Sequence, residues 1–141
     1  MKAIGEIYET IAQAIRRLEE VRHVDLWNHN VEFIEQETAG ERPAVFLEFQ
    51  PMAWEPVKEG LVRGTVTVVL HIVTDWKGQN SSSDLWELSD RIAGVLHGLC
   101  SPDSTGLRLI GTQVNHNHED LIETLETYQC RVTRRIIHQA E

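Results

Sequence analysis

The chain has 141 residues, 41% hydrophobic and 25% charged, with nine Gly and four Pro, a length and composition that fit one globular domain and exclude disordered or fibrous classes. Thirteen Lys plus Arg against twenty-two Asp plus Glu leave a net charge of −9. That balance repels phosphate backbones and anionic lipid at long range, so neither specific nucleic-acid binding nor membrane binding is expected. Two cysteines, Cys100 and Cys130, are too few for a disulfide framework and have no metal-ligand spacing; both read as reduced, mostly buried thiols.

From Ala3 to Glu20 the apolar residues fall at Ile4, Ile7, Tyr8, Ile11, Ala14, Ile15 and Leu18, one stripe of a helix with Glu6, Glu9, Arg16, Arg17 and Glu19 outside it. The acidic residues inside this pattern, and the lack of a small-residue cleavage site, argue against a signal peptide. The longest apolar run is far short of the roughly 20 residues that span a bilayer. The default compartment is the cytosol.

Arg22 to Trp27 reads as a short strand closed by Asn28-His29-Asn30, and Val31 to Ile34 as another, followed by an acidic loop. Ala44 to Phe49 alternates as a strand, and Pro51 and Pro56 bracket a loop that carries Met52 and Trp54. Leu61 to Asp75 is the clearest strand: Val66, Val68, Leu70 and Ile72 point one way, and Thr65, Thr67, Val69, His71 and Val73 the other. After a polar loop, Ser83 is the expected N-cap of a second amphipathic helix marked by Leu85, Leu88, Ile92, Val95, Leu96 and Leu99, ending near Gly98. Two strands close the chain, Leu107 to about His116 and about Ile122 to Ile137.

The order α-β-β-β-β-α-β-β has no βαβ alternation. It predicts an α+β fold, a single domain over 1–141, with a mostly antiparallel sheet and two amphipathic helices packed on one face. At about 3.3 Å per residue, Leu61 to Asp75 would run about 50 Å. A domain this long has a radius of gyration of about 14 Å. Either the strands bend, or hairpins project beyond the core, and projecting edges call for a partner.

His116-Asn117-His118-Glu119-Asp120 places two imidazoles on one strand face and partly matches the HxHxDH motif of metallo-β-lactamase-like hydrolases. Leu121 stands where the final histidine belongs, so the segment reads first as a polar hairpin loop, with metal binding or a metal-dependent hydrolase at His116 and His118 as the alternative. Neither a nucleophile elbow nor a phosphate loop is present, and no catalytic residue, metal or cofactor is expected. Trp86 reads as packing within its helix, whereas Trp27, Trp54 and Trp76 lie at loops or strand ends and suit an interface. Glu119, Asp120, Glu123 and Glu126 form an acidic stretch, followed closely by Arg131, Arg134 and Arg135. The two would complement each other between copies in a head-to-tail ring.

The whole pattern resembles phage tail terminator or tail-completion proteins, including prophage-encoded relatives. The resemblance is carried by the opening helix (Ile4 to Leu18), Val21 to Asn28, Pro43 to Phe49, the Gly64 to Asp75 strand, the second helix and the closing hairpin. It implies a structural virion protein, found in the host cytoplasm during assembly and then in the tail. Its partners would be further copies of itself in a homohexameric ring, a tail tube protein and a head–tail connector protein. The ring would cap the tube and end its polymerisation without chemistry or cofactor. Another neck or tube component is the nearest structural alternative. The interface residues expected here, Trp27, Trp54, Trp76, Arg131, Arg134 and Arg135, come from the residue arguments above.

Overall fold

A computed structural model describes residues 2–27, 42–76, 82–115 and 121–137, with backbone alone at 82–85. The elements run α1 (Lys2–Arg16), β1 (His23–Leu26), β2 (Ala44–Phe49), β3 (Trp54–Lys58), β4 (Leu61–Asp75), α2 (Ser82–Leu96), β5 (Arg108–Asn115) and β6 (Leu121–Arg135). The fold is α+β in the expected order, built on one six-stranded sheet of order β1-β2-β4-β6-β5, with β3 paired to β4. All strand pairs are antiparallel except β1 with β2. No helix among the described residues is long and apolar enough to cross a membrane.

Residue parity sets the two faces of the sheet. Val45, Leu47, Val66, Val68, Leu70, Ile72, Tyr128, Cys130 and Val132 face the helices. Ile7, Ile11 and Ile15 of α1 and Leu88, Ile92 and Leu96 of α2 lie on that face, each at most 2% exposed. Burying a side chain of that size stabilises by about 1.5–3 kcal/mol, so this layer dominates the fold. α2 is tied at the surface to the turn after α1, where Arg91 donates to the Glu20 carboxylate, a bond that holds Glu20 below the usual carboxylate range.

α1 stops at Arg16, short of the expected Glu20. Leu18 N–H donates to Ile15 O at 3.0 Å and Val21 N–H to Leu18 O at 3.2 Å, tight turns that release the chain toward β1. Arg22 N–H then donates to Pro43 O at 2.8 Å, which sets β1 beside β2. α2 begins at Ser82, so Ser83 lies inside the helix rather than capping it. Past its end, Gly98 takes φ +78°, the left-handed conformation that closes helices.

The segment expected as a loop around Trp54 is strand β3, a correction with a simple cause. Pro56 has no N–H to give, but β3 has no outer partner among the described residues, so the ladder to β4 loses nothing. The strand expected over Val31 to Ile34 lies outside the described residues. β4 is unbroken and pairs along its whole length with β6, from Leu61 opposite Arg135 to Asp75 opposite Leu121. One edge of β4 carries two strands in succession, β2 against Val68–Val73 and β3 against Leu61–Gly64. The β3–β4–β6 end carries exposed residues on both faces, so the length mismatch is met by projection.

Candidate assembly interface

The helix-free face of the sheet has its own small core at the β1–β2 end: Ala44, Phe46, Val73 and Leu121, with Trp27 packed on them. Among them lies His71, 4% exposed. Its Nδ1 is 2.6 Å from Glu123 Oε2 and its Nε2 is 2.7 Å from Glu48 Oε1. A neutral imidazole has one N–H and a carboxylate only accepts. Both contacts are hydrogen bonds only when the three groups share one further proton, with the imidazolium between two carboxylates as the arrangement that satisfies every atom. The unit staples β2, β4 and β6 together. Asn115 Nδ2 adds a bond to Glu123 Oε1 at 3.2 Å.

A second polar group lies under the helices. Glu126 is 5% exposed, accepts from Thr112 Oγ1, and is pushed above the usual carboxylate range chiefly by burial. Tyr128, Thr124, Thr74 and Ser89 have buried hydroxyls without a partner, and burial raises the Tyr128 phenol strongly. Glu123 and Glu126 are thus interior, which corrects the reading of them as part of an acidic surface. Glu119 and Asp120 lie outside the described residues. So do His116 and His118, and with them the metal alternative. Among the described residues no three His, Cys, Asp or Glu side chains group so as to hold a metal ion.

The six expected interface residues divide between the two ends of the long strands. Trp27 is half-buried, its ring stacked on His71 and edge-on to Phe46 at 6.2 Å. Trp76, 38% exposed, follows β4 at the same end. Trp54 lies opposite Gly64 at the projecting end, about 36 Å away along β4. There Arg134 stands over the Trp54 ring at 5.6 Å from its centroid, a cation–π pair within one subunit. Arg131 and Arg135 project from the helix-free face, both exposed.

Other exposed groups were not singled out from the sequence. Trp86 is 58% exposed and does not pack as expected. Its place two residues before Leu88, about 200° round the helix, was the available signal. Leu109 and Ile110, 41% and 49% exposed, sit at a bulge on edge strand β5. Ile136 and Ile137 are 49% and 73% exposed just beyond Arg135. Cys130 is buried as expected, with its thiol pushed up to about 11 by burial, but Cys100 is exposed. It follows the core-facing Leu99 into the turn after α2.

No protein-family model matches the sequence, and no curated protein matches it. Among solved structures, the fold is similar to a chain in the virion of a native gene transfer agent particle, with a TM-score of 0.63 and 13% identity. The alignment covers 94% of this chain and 98% of that one. At that identity the likeness is one of fold.

Proposed function

We propose that this chain is a structural virion protein of the phage tail terminator type, without enzymatic activity. Copies of it form a ring, a homohexamer by the family resemblance, that caps the tail tube, ends its polymerisation and offers a joining surface to the head–tail connector. The observation that carries this reading is the fold likeness to a gene transfer agent virion chain across nearly the full length of both chains. The exposed apolar groups Trp76, Trp86, Leu109, Ile110 and Ile137 support it, because a lone subunit gains nothing from leaving them in water. Strand β5 has no outer strand partner among the described residues, which leaves its edge for a neighbour.

Native mass spectrometry over a range of protein concentrations, with and without zinc, tests the proposal. A hexamer that builds with concentration and ignores zinc is the expected result, followed by imaging of the ring. A monomer holding one or two zinc ions stoichiometrically would overturn it in favour of the His116/His118 metal reading. Ring formation with binding along the whole tube, rather than at its end, would favour another neck or tube component.

A further inference from the structure

The charge of this chain is strongly segregated. Residues 54–65, 103–108 and 129–137, which form the projecting end, hold Lys58, Arg63, Arg108, Arg131, Arg134 and Arg135 against Glu55, Glu59 and Asp103, six positive and three negative. This end therefore carries +3 and the remainder −12 of the total −9.

Strand register gathers four of the arginines on one surface. Arg63 lies opposite Thr133, Arg131 opposite Thr65, and Arg135 opposite Leu61, all on the helix-free face. Arg108 of β5 lies opposite Gln129 and joins the same face. All four side chains are exposed, and among the described residues no ion pair holds any of them. Arg108 and Arg131 line a cleft of about 450 Å³ with Thr65, Thr105, Gly106 and Gln129. Glu55 lies directly opposite Arg63 on the neighbouring strand, and Thr133 N–H donates to the Asp103 carbonyl.

We infer that this face binds the phosphodiester backbone of nucleic acid without reading sequence. Arg131 and Arg135 are four residues apart, about 13 Å along the strand, and Arg63 falls between them on the neighbouring strand. Such a row of guanidiniums meets several phosphates at once, and the hydroxyls of Thr65 and Thr133 with the Gln129 amide are further phosphate donors. The polar surface between the arginines favours phosphate over a protein partner. Thr65, Thr67, Gln129 and Thr133 stand among them, and the exposed apolar residues of this end, Val57, Ile136 and Ile137, lie on β3 and beyond Arg135 at its outer margin. Net charge suggested repulsion from nucleic acid, but charges beyond about 8 Å are largely screened at physiological salt, so the patch acts on its own.

The test uses the full chain and a short labelled DNA duplex of mixed sequence, titrated at several salt concentrations. With four contacts, the logarithm of affinity should fall against the logarithm of salt with a slope of about −3 to −4. Arg108→Ala with Arg131→Ala should reduce that slope by about 2 and weaken all sequences alike, while Arg17→Ala just past α1 leaves it unchanged. Thermal melting confirms that each variant is folded. Absence of binding at low salt, or a slope that the double variant does not change, would overturn the inference. Displacement by poly-glutamate as effective as by DNA would reassign the face to an acidic protein. Displacement by inorganic phosphate at equal phosphate concentration would reduce it to a single-anion cleft. None of these outcomes depends on ring formation.

Discussion

The ring of Trp27 lies flat on the imidazole of His71, with centroids 3.8 Å apart and planes within 3° of parallel. That stack closes one side of a histidine whose two nitrogens are held by Glu48 and Glu123. The residue that follows β1 contributes the aromatic lid, β2 and β6 the carboxylates, and β4 the histidine, so a single side chain links these segments at this end of the sheet. Replacing His71 by Ala leaves Glu123 buried beside an apolar cavity. Breaking a buried charge pair in this way costs about 3–5 kcal/mol, and the half-exposed Glu48 will recover part of its hydration. We expect a loss of about 3 kcal/mol in urea unfolding at neutral pH; a loss below about 1 kcal/mol would show that the staple contributes little.

Glu126 presents the opposite case. Its pKa is raised in the folded chain by burial, against the Thr112 hydrogen bond and with help from Asp90. A raised carboxyl pKa favours folding below the unfolded value of about 4.3, and that contribution is lost as pH rises through the folded value. At neutral pH the fold therefore carries a poorly solvated charge. Glu126→Gln retains an acceptor for Thr112 and offers N–H donors on the face where the Thr124 and Tyr128 hydroxyls lack partners. The variant should be more stable at pH 7 by on the order of 1 kcal/mol. The gain should shrink as pH falls through the folded value and level off below about 4, where the carboxyl is neutral in both states. Melting curves across that range check the sign.

The two cysteines should separate cleanly in a thiol assay. Cys100 is exposed, and Cys130 is 4% exposed with a thiol that burial pushes up to about 11. Under native conditions a disulfide reagent should modify one thiol promptly, identified as Cys100 by peptide mapping. Cys130 should react only as fast as the sheet opens. Prompt modification of both thiols would mean that the α1–α2 layer does not protect β6.

Gly64 tests how the projecting end is built. A Cβ there would fall 2.7 Å from Met52 Cε, 2.9 Å from the Ala53 carbonyl oxygen and 3.2 Å from Trp54 Cε3. Met52 can swing aside, but the carbonyl cannot without moving the start of β3. Gly64→Ala should cost about 1–3 kcal/mol by overcrowding and loosen the Trp54–Arg134 pair. Tryptophan emission should shift toward the red even where the fold survives. An unchanged spectrum with unchanged stability would mean that β3 is not seated on Gly64.

Much of this architecture was legible in local pattern, and the failures share a cause. The alternation in Leu61 to Asp75 and the three-and-four spacing in α1 fix which residues face the helices, because burial imposes the period directly. β3 was hidden by Pro56, whose usual meaning as a breaker does not hold on an edge. The His71 unit was invisible because Glu48 and Glu123 reach it only through two strand registers, across sequence separations of 23 and 52. The arginine face escaped for the same reason: Arg63 and Arg108 join Arg131 and Arg135 only after β4, β5 and β6 are paired. An acidic reading of Glu123 and Glu126 followed from counting charges along the chain, where nothing marks a carboxylate as interior.

Trp86 offers the most direct test of assembly. More than half of its surface is in water on the outer side of α2, while Leu88 and Ile92 hold the helix to the sheet from the other side. Truncating an exposed side chain usually changes stability by no more than about 0.5 kcal/mol, so Trp86→Ala should unfold as the parent does. If the ring contains this residue at its interface, the same change removes a tryptophan anchor. Such anchors are worth about 2 kcal/mol or more, which corresponds to at least about a thirtyfold rise in the concentration needed to assemble. Ile110→Asp on the edge of β5 should act in the same direction, by placing a charge where a neighbouring strand would pair. Sedimentation of parent and variants over a concentration series reads both. Assembly that is indifferent to both substitutions would place the subunit contacts on other surfaces, with Trp76 and Ile137 the next to be changed.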